Sequence, residues 1–131
     1  MCRRIYKRDG ATEADIGILT FCSLVLTEGA WSELKEIAER YGHLLPWQYG
    51  ERRLWLWNVT NVANVLDRDR SSFNHFGGVS HPVFTADKLT DNPVFKLRED
   101  NYTAIYCTYT FRQLIENHNF TGLEFEALDV A

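Results

Sequence analysis

Residues 24–47 decide the fold, and they read LVLTEGAWSELKEIAERYGHLLPW. A first apolar run ends at Thr27, apolar residues then recur every three or four positions, and a second apolar run follows Gly42. This spacing is typical of an amphipathic helix, for which Thr27 is a suitable N-cap, Glu28 a suitable first-turn anion and Gly42 a suitable stop. The stretch therefore predicts a strand, a helix and a second strand.

A second stretch with the same order lies about 80 positions further along the chain, where residues 104–125 read AIYCTYTFRQLIENHNFTGLEF. Aligning Val25 with Ile105 also places Trp31 on Phe111. The apolar pattern recurs, but no reactive side chain recurs with it. A scaffold that is repeated without repeated chemistry favours a binding function over a catalytic one.

The rest of the sequence predicts short strands and isolated turns. Residues 1–14 are charged and contain glycine, so we expect a flexible N-terminal arm ahead of a single domain at 15–131. Further strands are predicted at 16–26, 44–49, 53–59, 93–97, 102–108 and 123–126, a short helix at 61–66 and a long loop at 71–81. Pro46 favours an edge or bent strand. The resulting fold class is α+β: a mixed or antiparallel sheet with two main amphipathic helices, arranged as two related strand-helix-strand halves.

Composition narrows the classes of partner. The formal net charge of -4 argues against nonspecific affinity for nucleic acid or an anionic membrane and is compatible with a basic protein partner. Three cysteines, of which Cys22 and Cys107 lie in apolar runs, suit a reducing compartment. The residues after Met1 lead to charge rather than to an apolar segment, and the run from Ile16 to Leu26 is far shorter than a membrane span. We expect a cytoplasmic protein.

Catalytic and metal motifs are weak in this sequence. His75, His81 and Asp87 are the best candidate metal ligands, but their spacing matches no standard site, so we predict neither a metal nor a cofactor. His118 ends the second predicted helix and suits a C-terminal cap. Cys107 lies in an apolar run, where burial would raise the pKa of its thiol and make it unreactive.

Trp55 and Trp57 alternate along one predicted strand and therefore share a face of the sheet. Two interpretations remain open for these side chains. They fill the core of a strand that is covered on both sides, which the apolar pattern favours, or they are presented to a partner.

Several short elements in a fixed order resemble a family of bacterial immunity proteins, which are encoded beside polymorphic toxins and neutralise them by direct binding. The elements are an aromatic strand that ends in Asn, a Leu-Asp pair followed by Ser, a Phe-x-Leu strand and a terminal Thr-Gly-x-x-Phe turn and strand. They span roughly residues 16 to 128. The matching positions are Asn58, Leu66, Asp67, Ser71, Phe95, Leu97, Thr121, Gly122 and Phe125.

The resemblance implies a non-enzymatic immunity protein that binds a cognate toxin domain and blocks its active site or substrate path. Since many such toxins act on nucleic acids and are basic, acidic residues near an aromatic anchor are the expected contacts. The candidate partner-binding residues are Trp55, Trp57, Glu99, Asp100, Glu124 and Glu126. Two alternatives remain: a small hydrolase that uses the loop from Ser71 to Asp87, and a homo-oligomeric structural module.

Overall fold

The computed structural model of the chain describes residues 2–7, 14–19, 23–90 and 92–131. Within these ranges the α+β class is confirmed, with short strands in sheets and helices between them. The strands are Cys2–Lys7 (β1), Ile16–Leu19 (β2), Ser23–Thr27 (β3), Gly42–Tyr49 (β4), Arg52–Val59 (β5), Ser72–Phe73 (β6), Val79–His81 (β7), Val83–Phe84 (β8), Val94–Phe95 (β9), Tyr106–Thr108 (β10) and Leu123–Val130 (β11). The helices are Glu28–Arg40 (α1), Ala86–Leu89 (α2) and Tyr109–Asn117 (α3).

The first sheet has the strand order β2-β3-β5-β4. Helix α1 connects β3 to β4, and β5 returns between these two strands, antiparallel to both. β4 is thus an edge strand, as Pro46 predicted, and β5 is an inner strand. The N-cap of α1 is Thr27, although its hydroxyl donates to the Asp15 carbonyl instead of capping the helix.

The second sheet has the strand order β8-β11-β1-β10-β9, with β1 at its centre. The expectation of a flexible arm at 1–14 is therefore wrong over Cys2–Lys7, which pair antiparallel with both β10 and β11. Cys2 and Ile5 are buried because β1 has neighbours on both sides. The strand was not predicted because Arg3 and Arg4 interrupt the apolar pattern that indicates a buried strand. Residues 8–13 of the expected arm lie outside the described residues, as does Cys22.

The two sheets repeat one arrangement. In each, a helix connects two parallel strands that flank a central antiparallel strand, and a fourth strand extends one side. Equivalent cross-strand triplets are Val25–Leu56–Leu45 in the first sheet and Tyr106–Arg4–Glu126 in the second. The central strand follows β4 in one half, whereas in the other it comes from the beginning of the chain.

The repeat has an offset of 81 positions rather than 80. The N-caps Thr27 and Thr108 are equivalent, and β4 and β11 begin at Gly42 and Leu123 without a gap. This shift places Phe111 on Ala30, which are both fully buried, and corrects the alignment of Phe111 with Trp31. The sequence alignment paired Trp31 with Phe111 because both are aromatic, although they occupy different faces of their helices.

Both halves contribute to one main core, which joins the inner faces of the two sheets to helices α1 and α3. Trp57 and Phe111 meet edge to face there, with ring centroids 5.8 Å apart. A second core lies on the opposite face of the five-stranded sheet. It is formed by β1, β9, β10 and the segment between the halves, and it includes Val65, Phe84 and Tyr106.

The segment between the halves differs from its prediction in two places. No helix forms at 61–66, where Val62 and Leu66 make isolated bridges to Lys96 and Phe84. The predicted loop at 71–81 contains a small hairpin of β6 and β7. Strands form within the predicted ranges 93–97 and 102–108, where β9 and β10 are shorter than predicted and pair antiparallel. In the described part of the chain, none of the helices has the length and apolar character needed to cross a membrane.

A candidate partner-binding surface on the four-stranded sheet

The outer face of the four-stranded sheet carries a group of exposed apolar side chains. Strand alternation and register place Leu45, Trp47 and Tyr49 of β4 on this face, opposite Leu56, Leu54 and Arg52 of β5. Leu45 is 55% exposed, Trp47 40%, Tyr49 65% and Leu19 of neighbouring β2 42%. We call the side chains Leu19, Val25, Leu45, Trp47, Tyr49, Leu54 and Leu56 the apolar face; Val25 and Leu56 are half-buried and Leu54 is buried.

The apolar face includes a groove. Leu19, Leu45, Pro46, Trp47 and Leu56 line a surface groove of about 260 Å³. Trp47 and Tyr49 meet edge to face at its rim, with centroids 5.9 Å apart. Scattered single apolar residues are normal on a protein surface, whereas a contiguous group of this kind marks an interaction site.

At the equivalents of Trp47 and Tyr49, the face of the five-stranded sheet is covered by the chain itself. Leu128 and Val130 of β11, the equivalents of Trp47 and Tyr49, pack against the second core. β8 pairs with the edge of β11 at Asp129 and Val130. The covering segment contributes Ala63, Val65, Leu66, Phe84 and Leu89, and it has no counterpart among the described residues of the other half. The repeat therefore shows how this fold buries such a face when it is structural.

The charges around the apolar face are few and basic. Among the described strand residues on this face, His43 and Arg52 carry the ionisable nitrogen groups, and none is Asp or Glu. Arg52 is exposed and forms no ion pair with a described residue. The nearby Asp15 carboxylate accepts hydrogen bonds from Thr121 instead. The formal charge of these strand residues is therefore positive, whereas the whole chain carries a net charge of -4.

Two of the six predicted contact residues lie in the core. Trp57 is 0% exposed and Trp55 is 5% exposed. Trp55 stacks on Trp31, with ring centroids 4.2 Å apart and planes at 8°. The interpretation that these tryptophans fill the core is thus confirmed. Neither ring is presented to a partner, because β5 is an inner strand whose inner face carries both side chains.

Glu99 and Asp100 lie in the link between β9 and β10. The Glu99 side chain is 5% exposed and forms an ion pair with Arg68 at 3.6 Å. Asp100 accepts a hydrogen bond from the Tyr106 hydroxyl at 2.7 Å. Burial raises the pKa of Asp100 even though this hydrogen bond lowers it. Both carboxylates therefore have partners within the chain, which suits a bracing role in the link.

Glu124 and Glu126 are exposed on β11, as their alternation with Leu123 and Phe125 predicted. They occupy the positions in the five-stranded sheet that His43 and Leu45 occupy in the other. The structure thus places the two exposed predicted carboxylates in a different sheet from the apolar face. It does not bring the six predicted residues together.

The residues that carry the resemblance have structural environments. Leu66, Phe95 and Leu97 are buried, and Phe125 packs against the main core. Asp67 accepts from the N–H groups of Asp69 and Arg70, and the Ser71 hydroxyl exchanges hydrogen bonds with the Val83 backbone. These contacts brace a turn in the covering segment.

Asn58, Thr121 and Gly122 join the two halves. Asn58 Oδ1 accepts from Lys96 Nζ at 3.2 Å. Thr121 donates its N–H and hydroxyl to Asp15. Gly122 has φ +110, and a Cβ added there would overlap the Ile16 carbonyl oxygen. These positions explain how the halves fit together.

In the loop from Ser71 to Asp87, the side chains do not come together in an arrangement that could catalyse hydrolysis. His75 stacks against Phe76, whereas His81 Nε2 lies 2.7 Å from Asp129 Oδ2 at the exposed surface. The Ser71 hydroxyl is hydrogen-bonded to the Val83 backbone and makes no hydrogen bond to either histidine. Across the described ranges, no three His, Cys, Asp or Glu side chains are grouped closely enough to hold a metal ion.

The remaining reactive side chains are in structural positions. Burial raises the pKa of the Cys2 thiol to about 12 and raises that of Cys107 as well, so both are poor nucleophiles. The His118 ring Nδ1 lies 2.9 Å from the Leu114 carbonyl oxygen, which confirms its predicted place as a helix cap.

No protein-family model matches the sequence, and a search of curated proteins finds no match either.

The apolar face escaped the sequence analysis, although a signal for it was present. The run Leu44-Leu45-Pro46-Trp47 places large apolar side chains on both faces of a strand that Pro46 marks as an edge. An edge strand with apolar residues on both faces needs a cover on each side. The proline indicates the edge strand, but no local pattern indicates what covers its two faces.

Proposed function

We propose that this chain is a non-enzymatic immunity protein that binds a bacterial toxin domain in the cytoplasm and blocks its active site or substrate path. The observation that carries the proposal is the apolar face, because a surface of large exposed side chains on a well-packed sheet supports recognition of another protein. The resemblance to immunity proteins supplies the class of partner.

The chemistry of the remaining surface is consistent with binding rather than turnover. Of the candidate nucleophiles, Cys107 is buried and Ser71 is hydrogen-bonded to backbone. The loop histidines contact other residues: His75 stacks on Phe76, and His81 lies beside Asp129. The net charge of -4 would speed association with a basic toxin, since opposite net charges steer two proteins together. Association is therefore expected to slow as the salt concentration rises.

The test is to purify the chain with the toxin domain encoded beside its gene and to measure complex formation and toxin activity. We expect a stable complex and loss of toxin activity at equimolar ratio. The double variant His75→Ala, His81→Ala should protect as well as the wild type, because binding does not depend on loop chemistry. Turnover of a substrate by the isolated chain, lost in that double variant, would favour the hydrolase, and an inert mixture would contradict the proposed function.

A further inference from the structure

We propose that the apolar face is the docking site for the partner and that it receives an apolar segment of the partner carrying a carboxylate beside Arg52. This inference rests on the proposed function and specifies which surface performs it. It also moves the contact away from the acidic positions Glu124 and Glu126, which lie in the other sheet.

The internal repeat supplies the first argument. In the five-stranded sheet, the side chains at the equivalents of Trp47 and Tyr49 are covered by an apolar segment that packs Phe84 and Leu66 across the sheet. The four-stranded sheet has the same register and larger apolar side chains at those positions. A partner segment that lies across Leu45, Trp47 and Leu56 would perform the same burial in trans.

Charge complementarity supplies the second argument. The face carries Arg52 and His43 at opposite ends of its paired strands and has no described acid between them. An exposed guanidinium at the rim of an apolar surface suits a carboxylate, with which it can form two parallel hydrogen bonds. A segment rich in lysine or arginine would meet like charge at Arg52, so the contacting segment is apolar and acidic even where the whole toxin is basic.

The edge of β4 favours docking across the face over addition of a strand. Pro46 lies in the middle of this edge strand and lacks an N–H group for a ladder. The Gln48 side-chain amide donates to the Gly50 carbonyl oxygen at 2.9 Å and so occupies an acceptor where the strand ends. The partner therefore makes its contacts mainly through side chains.

The test exchanges two equivalent residues between the sheets. Leu45→Glu puts a carboxylate into the apolar face, and Glu126→Leu makes the reverse change at the matched position of β11. Both side chains are exposed, so we expect both variants to fold, which circular dichroism and thermal unfolding would check. Affinity for the purified toxin domain encoded beside the gene is measured for each.

We expect Leu45→Glu to weaken binding about 100-fold, since it buries an unpaired charge at the centre of the contact. Glu126→Leu should stay within about 3-fold of the wild type. Arg52→Glu should weaken binding about 10-fold at low salt, with a smaller loss at high salt.

Equal affinity of Leu45→Glu and wild type, or a large loss only in Glu126→Leu, would overturn the inference while the proposed function stands. Light scattering across concentration would also overturn it if it finds a wild-type dimer that Leu45→Glu abolishes, because the occupant would then be a second copy. A wild-type chain that does not bind the toxin domain contradicts the proposed function itself and this inference with it.

Discussion

The half of the molecule built around β5 and the half built around β1 share strand order and register, but their outer faces differ. In the half around β1, the segment between the halves covers the outer face and adds β8 to its edge. In the half around β5, the equivalents of the covered Leu128 and Val130 are Trp47 and Tyr49, which lie at the surface beside Leu45. An exposed apolar sheet face is therefore not required by this arrangement of strands. One half covers the equivalents of Trp47 and Tyr49, and their exposure in the other half is the observation on which the proposed partner rests.

The largest expected effect contrasts a covered side chain with an exposed one. Phe84 is fully buried and meets Tyr106 and Phe95 at ring centroid distances of 5.5 and 6.2 Å. Phe84→Ala should lower the free energy of unfolding by about 3–5 kcal/mol, because it removes buried area and leaves a cavity. Leu45→Ala, on the exposed face, should lower it by less than about 1 kcal/mol. Urea unfolding followed by fluorescence measures both.

A loss at Leu45→Ala as large as that at Phe84→Ala would break the comparison. The apolar face would then be structural in the isolated chain. It would no longer be a surface held ready for a partner.

Much of the fold was readable from sequence because its signals are local. Apolar periodicity located α1 and α3, and Pro46 located an edge strand. β1 was missed because a central strand flanked on both sides can carry Arg3 and Arg4 when their side chains find partners across the sheet. One such contact places the Arg4 guanidinium 5.5 Å from the centre of the Tyr106 ring. Such long-range contacts leave no periodic signal.

The candidate site was less readable than the fold. Trp55 and Trp57 drew attention as large residues, yet pairing of β5 with both β3 and β4 made this strand internal. Whether a face is covered depends on the path of the segment between the halves. That path is fixed by contacts such as the pairing of Val83 and Phe84 with Asp129 and Val130, which join residues far apart in sequence.

A second prediction concerns the junction between the helix and the strand that follows it, α1 to β4 in one half and α3 to β11 in the other. The two halves have glycine at different positions of this junction. Gly122 corresponds to Tyr41 in the other half, and its φ of +110 and its contact with the Ile16 carbonyl exclude a side chain. Gly122→Ala should lower the free energy of unfolding by about 2–4 kcal/mol. Gly29→Ala is the matched control, because nothing lies within 4 Å of its added Cβ and alanine favours a helix.

Thermal and urea unfolding of the two glycine variants give the measurement. The control should equal or slightly exceed the wild type in stability. If Gly122→Ala also matches the wild type, the junction between β2 and β11 is looser than its geometry indicates, and the two halves are less tightly joined.

The smallest expected effect concerns a carboxyl group that contacts the covered face. Tyr106 occupies the position of Val25, and its hydroxyl donates a hydrogen bond to Asp100, whose pKa is raised mainly by burial. A raised pKa in the folded state means that the protonated carboxyl is favoured there. The contribution of Asp100 to the free energy of unfolding is therefore fully present below the pKa that Asp100 has in the unfolded chain. It is lost as the pH rises through the pKa of Asp100 in the folded protein. Relative to Asp100→Asn, the wild type should therefore gain stability as pH falls toward about 4.

Tyr106→Phe sharpens this prediction, because it removes the hydroxyl that stabilises the ionised carboxylate. The pKa of Asp100 should rise further, and the pH at which stability is gained should move upward. Urea unfolding of the three proteins at several pH values between about 3 and 7 measures the effect. Parallel curves for wild type and Asp100→Asn would show that the burial of Asp100 imposes no such cost. The two outer faces would then differ in apolar burial alone.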